Sequence, residues 1–226
     1  MSNRKTVRIK EDFDMKGADG LWLKSWSTPS GVTNEFHNHI SLSCERWYSI
    51  LRRVKNAHNS PTYHGIANNF ESYQEFVEWS IEQPGYNMKE LDGRVWAIDK
   101  DILGDRKTYS PEFCIFVPQR VNNFLTFRTN HRGDYPIGVS CSQREDRFYY
   151  FAFVNMGGGT KLRKTHTFYD PVSAHRFWQE HKITRARNLA SEFEGWHNKL
   201  CSGLNTWADK IQDDYENHRE TVIEGD

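Results

Sequence analysis

The chain has no apolar run near the roughly 18 residues of a membrane span, and its start, MSNRKTVRIKEDFD, lacks the apolar stretch of a secretory signal. A cytoplasmic protein without a membrane partner is expected. Cysteine is scarce. The four in 226 residues (Cys44, Cys114, Cys141, Cys201) form no CxxC pair, which argues against a zinc ribbon or a disulfide framework and leaves reduced, mostly buried thiols. The glycine run at Met156–Gly159 lacks a following GK[ST], so it is no phosphate loop. Net charge is also missing, with 30 Lys and Arg against 30 Asp and Glu.

What is present is uneven. Residues 120–187 hold 12 Lys/Arg against 5 Asp/Glu, whereas residues 190–226 hold 3 against 9. The basic stretch reads as an electrostatic footprint on phosphate, and the acidic end as a solvated or partner-facing surface. Hydrophobic content of 37%, with 14% aromatic, is enough to fill real cores.

Residues 1–38 mix charge, Gly and Pro around Trp22 and Trp26 and read as a partly ordered arm. From Ile40 to Val54 apolar residues recur at spacings of three and four, which predicts an amphipathic helix carrying Arg46, Arg52 and Arg53, with Ser41 or Ser43 as cap. After the turn-rich NAHNSPTYHG, a second helix is predicted over about 72–82, ended by QPGYNM. Two short apolar runs, Val95–Ile98 and Cys114–Val117, then flank a polar loop as a hairpin. Pro118 suits the first turn of a following helix carrying Val121, Phe124 and Leu125.

Three alternating segments, Ile137–Ser140, Arg147–Val154 and Lys161–Thr167, predict a three-stranded sheet, followed by a helix capped by Asp170-Pro171 that runs toward Lys182. A long amphipathic helix is expected over about 186–215, with Leu189, Phe193, Trp196, Leu200, Leu204, Trp207 and Ile211 on one stripe. The fold class is α+β. The expected divisions are an arm at 1–38, a strand-strand-helix domain at 39–130, a sheet-and-helix domain at 131–185, and a C-terminal amphipathic helix with an acidic tail at 186–226.

Three blocks stand in a telling order: WYSILRR at 47–53, the run from Leu91 to Asn123 that includes IDKDILGDRKTYSPEFCIFVP, and PIGV at 136–139 followed by the aromatic strand, the Gly turn and AHRFWQEHK at 174–182. Together they resemble phage HNH homing-endonuclease-like proteins, in which a ββα-metal module joins an AP2-type DNA-binding domain. The resemblance implies a bacteriophage DNA-binding protein whose partner is double-stranded DNA. It also implies divalent-metal-dependent nicking or cleavage of a phosphodiester, a hydrolase activity using Mg²⁺ or Mn²⁺. The alternative is a protein that kept the fold without the chemistry and binds DNA or inhibits a host protein through its acidic C-terminal helix.

In that family the first strand of the module ends in Asp-His, the His activating water and the Asp helping to hold the metal, while the helix supplies a further ligand. Carried onto this sequence, Asp99 takes the metal-Asp position, Asn122 the helix position and Asn123 its neighbour, and Lys100 stands where the base His belongs. A protonated Lys cannot take a proton from water and repels a cation. Asp101 beside it, or His64 or another His, could supply the base. Three readings of Asp99-Lys100-Asp101 stay open: a salt-linked turn, a metal site that cleaves DNA, and a phosphate or metal site without catalysis. His37, His39, His58 and His64 lie in polar parts of the N-terminal half, where a lone His is more often a surface or hydrogen-bonded residue than a catalyst, and the letters H-N-H at 37–39 read as coincidence.

An AP2-like sheet faces the major groove, so the resemblance makes Arg144, Arg147, Tyr149, Lys161, Arg163 and Lys164 DNA contacts, with Arg52 and Arg53 as phosphate clamps. Strand alternation puts Phe151 and Phe153 on the face of Arg147 and Tyr149, while the packed helix is expected to take most of these aromatics into the core.

Overall fold

A helix needs its buried residues on one stripe, and the stripe of Cys44, Trp47 and Ile50 sets the buried side of α1 (Asn34–Lys55). The structure, a computed structural model, describes residues 34–55, 65–104, 106–125, 135–155 and 163–223. Helix α1 begins at Asn34, so the expected arm ending at residue 38 gives way to helix five residues earlier. The polar run NEFHNH hides that start because it has no apolar period. Strand β1 (Ala67–Asn68) leads to α2 (Tyr73–Glu82). Ser72 caps α2 by accepting from the Glu75 N–H at 3.1 Å, and the Glu75 carboxylate accepts from the Glu71 N–H.

The expected hairpin is present: β2 (Ala97–Asp99) pairs antiparallel with β4 (Ile115–Val117), Ile98 opposite Phe116. Between them β3 (Thr108–Tyr109) pairs parallel with β1, a two-residue contact that no local pattern announces. Pro118 then starts α3 (Gln119–Leu125), whose Val121 and Phe124 are buried. The meander β5 (Val139–Arg144), β6 (Arg147–Asn155), β7 (Arg163–Phe168) forms a three-stranded antiparallel sheet. The QRED turn between β5 and β6 is made by Glu145 at φ 52.

Helix α4 (Pro171–Glu192) starts where expected, the Asp170 side chain accepting from the Ser173 N–H at 2.7 Å. It does not stop near Lys182, and a division at 185/186 would cut it. The stripe expected to form one helix over 186–215 instead spans the end of α4, a corner at 193–197 with Gly195 at φ 82, and α5 (Asn198–Glu216). The stripe reads as continuous because both segments bury their apolar side in one core.

That core is shared. Trp96, Ile115, Phe116 and Phe124 of the hairpin unit pack in one cluster with Val139, Ala152 and Val154 of the sheet and Ala174, Trp178, Leu189, Leu200, Leu204 and Ile211 of α4 and α5. The boundary expected near residue 130 therefore crosses a continuous apolar interior. A smaller cluster joins α1 to α2 through Trp47, Phe70, Tyr73 and Phe76.

Two cations hold these parts together from inside. Arg46 donates to the carbonyls of Tyr86 (2.9 Å) and Trp96 (2.8 Å), with its guanidinium 4.3 Å from the Phe116 ring centre. Burial pulls its pKa down to about 10. Lys182 of α4 donates to the Phe124 carbonyl near the C-terminus of α3 and lies 3.7 Å from the Phe124 ring centre. Burial, with Arg185 nearby, pulls its pKa down to about 7. The C-terminal segment folds back on α4. The Thr221 N–H donates to His175 Nε2 at 3.0 Å, so His175 carries its proton on Nδ1 and donates to the Ile137 carbonyl at 2.9 Å.

The sheet meets α4 at Gly138, where φ is 80 and an added Cβ would lie 2.0 Å from the Trp178 indole. Gly138→Ala should cost about 2 kcal/mol or more, read as a lower urea midpoint. An unchanged midpoint would mean that the indole is not seated on this turn.

Candidate nucleic-acid interface and the Asp99 turn

Strand β2 ends at Asp99, which is 4% exposed. Its Oδ1 accepts from the N–H of Asp101 and the N–H of Ile102, both at 2.9 Å, so the carboxylate closes the turn that leaves the strand. Burial, then the charge of Asp101, pushes the Asp99 carboxyl above the usual range, opposed by the two amides and Lys100. The Lys100 ammonium is 2.5 Å from Asp101 Oδ1, donates to the Arg106 carbonyl and stands 5.7 Å from the Tyr109 ring centre. Arg106 holds φ 65, which presents that carbonyl.

Of the helix positions, Asn122 is half-buried and Asn123 is exposed, its Oδ1 accepting from Gln119 Nε2 at 2.9 Å. Among the described residues no group of three or more His, Cys, Asp or Glu is placed to hold a metal. His58 and His64 lie outside the described residues, as do the side chains of His37 and His39.

The expected phosphate clamps differ from each other. Arg52 is exposed, whereas Arg53 is half-buried and donates to the Tyr109 hydroxyl at 2.6 Å. Tyr109 thus sits between the Arg53 and Lys100 cations, and its phenol is raised to about 12, chiefly by burial.

The sheet supplies a surface of a different kind. Helix α4 covers the face of Val139, Ala152 and Val154, which leaves the alternate positions of β6 open. Arg147 is exposed, Tyr149 and Phe151 are half-buried, and Phe153 is 42% exposed. The expectation that α4 takes these rings into the core is corrected. Trp178 of α4 presses on the sheet at Gly138, and the α4-side register of β6 holds Ala152 and Val154 with Tyr150 packed against the core, while Tyr149, Phe151 and Phe153 fall on the other side.

Pairing places Arg144 opposite Arg147, Ser142 opposite Tyr149 and Ser140 opposite Phe151, with Thr167 flanking Phe151 from β7. Tyr169, 79% exposed, lies 5.9 Å from Tyr149 between ring centres, and the Arg144 guanidinium lies 6.0 Å from the Tyr149 ring. Arg163 stands opposite Asn155, in the open-face register, and Lys164 opposite Val154, in the α4-side register. Lys161 lies outside the described residues. The three strands carry Arg144, Arg147, Arg163 and Lys164 and no acidic residue. Sequence reasoning missed Ser140, Ser142, Thr167 and Tyr169. The alternation of Ala152 and Val154 with large rings was the signal for them.

The acidic end is partly answered within the chain, by Arg187 on Asp209 and by Arg219 on Asp213 and Asp214. No described helix is long and apolar enough to cross a membrane. Comparison of the chain with family models, with curated proteins and with solved structures finds no match.

Because the folded Asp99 carboxyl ionises at higher pH than the unfolded one, its contribution to stability is full below about pH 3.9. That contribution is lost as pH rises through the raised value. Asp99→Asn keeps the oxygen acceptor and cannot ionise, so urea unfolding should show a flatter stability profile between acid and neutral pH. Asp99→Ala strands two amides and should cost about 1–3 kcal/mol. An Asn variant as unstable as the Ala variant would contradict the turn-closing role.

Proposed function

We propose that this protein binds DNA through the open face of the β5–β7 sheet and that the Asp99–Asp101 segment serves folding and not phosphodiester hydrolysis. The observation that carries the first part is the sheet itself. Its strands hold no acidic residue, Glu145 and Asp146 lying in the turn between β5 and β6, and Arg144 and Arg147 stand exposed beside the half-buried Tyr149 and Phe151 and the exposed Phe153. Phosphate recognition draws on such cations, each contact releasing counterions and steepening the salt dependence.

For the second part, a hard divalent cation seeks several accessible oxygens, waters among them. Asp99 offers a buried carboxylate with one oxygen already holding two amides, and the Lys100 ammonium neutralises Asp101. These residues do not fit a resident Mg²⁺ or Mn²⁺, and Lys100 in this setting is no base. The likeness to phage HNH proteins with an AP2-type domain supports DNA as the partner, and the loss of the base His accords with a binding protein. The internal pairing of the α5 carboxylates gives a host-protein docking role no added support.

DNA binding followed across a salt series tests this. Arg144→Ala and Arg147→Ala should each weaken binding and reduce the slope of log K against log salt by about one. Failure to bind any DNA at low salt would end the DNA-binding reading, and an unchanged slope in both variants would move the contact away from this face. Plasmid nicking with Mg²⁺ or Mn²⁺ that Asp99→Asn abolishes would restore the enzyme reading.

A further inference from the structure

We propose that the open sheet face takes unpaired bases, so that the DNA it holds is single-stranded; this rests on the DNA-binding reading above. The face is more than a basic patch. Tyr149, Phe151 and Phe153 occupy successive outward positions of the central strand, the last two with ring centres 6.4 Å apart, and Tyr169 extends the row beside Tyr149. Burying such rings would stabilise a soluble fold, so a row left half-open marks a surface with a partner.

The chemistry of the row separates the two forms of DNA. A duplex presents polar base edges and phosphates, which are read by charged and hydrogen-bonding side chains, and its base faces are occupied by their neighbours. An unpaired strand presents base faces, which stack on aromatic rings whatever their sequence. Beside the rings stand short hydroxyls suited to base edges: Ser142 next to Tyr149, and Ser140 and Thr167 on either side of Phe151. Arg144 and Arg147 close one end of the row, placed to take the backbone phosphates of a strand laid along β6. Rings for bases, hydroxyls for edges and cations for phosphates match an extended strand.

Fluorescence anisotropy with a labelled mixed-sequence strand of about twenty nucleotides, alone and annealed to its complement, tests this. The single strand should bind at least about tenfold more tightly than the duplex. Phe153→Ala and Phe151→Leu should each weaken single-strand binding about five- to a hundredfold and leave duplex binding unchanged. Phe153 is exposed enough for its variant to keep the fold, which circular dichroism checks. Duplex binding as tight as single-strand binding, or single-strand binding indifferent to both variants, overturns the inference while the DNA-binding reading stands. No binding of either form overturns both. A self-associated protein that Phe153→Ala dissociates and that the single strand does not disrupt would assign the row to a second copy and also overturn the inference.

Discussion

The seating of Trp178 on the backbone of Gly138 decides which face of the sheet is inside. The approach is so close that a single added carbon would collide with the indole, and Ala152 is fully buried on the sheet face that meets the helix, as Ala174 is on α4 itself. Once that contact is made, strand alternation leaves no choice. Val139, Ala152 and Val154 turn inward, and Tyr149, Phe151 and Phe153 turn out. Because α4 also carries Lys182 to the end of α3 and His175 to the C-terminal segment, the same helix fixes the sheet, the hairpin unit and the chain's end relative to one another.

Buried positive charge has a consistent use in this fold. Arg46, Lys100 and Lys182 each donate to a main-chain carbonyl, of Tyr86 and Trp96, of Arg106, and of Phe124 respectively. Arg46 and Lys182 also lie against aromatic rings. Loops and helix ends that leave carbonyls without partners are costly to bury, and an interior cation satisfies them. Lys100 belongs to this group. At the end of β2 it does the work of tying a turn, with Asp99 holding the amides on the other side, which gives the Asp-Lys-Asp sequence a reason independent of any reaction.

Much of the local structure was legible in the sequence. Helix α2 announces itself by Ser72 and a three-four spacing, α4 by Asp170-Pro171, and the β2–β4 hairpin by two apolar runs around a polar loop, because each is set by contacts close in the chain. The parallel pairing of β1 with β3 joins residues some forty positions apart, and nothing local encodes it. The α4–α5 corner was hidden by a stripe that both helices share, although Gly195 marked it. At the candidate site the alternation showed that Arg147, Tyr149, Phe151 and Phe153 share a face but not which face was free. Large rings suggested core, and the structure instead turns Val139, Ala152 and Val154 toward α4. The engagement of Arg53 with Tyr109, and of Lys100 with Arg106, was equally out of reach, since each depends on where β3 is held.

Everything functional proposed for this protein rests on DNA lying along the outer face of β6. Photo-crosslinking to bromodeoxyuridine-substituted DNA, with the modified peptides mapped by mass spectrometry, reads that placement directly. Crosslinks concentrated at Tyr149, Phe151, Phe153 and Tyr169 are the predicted result. Crosslinks confined to the Arg94–Asn123 segment or to the outer side of α4 and α5, with none on β6, would contradict it.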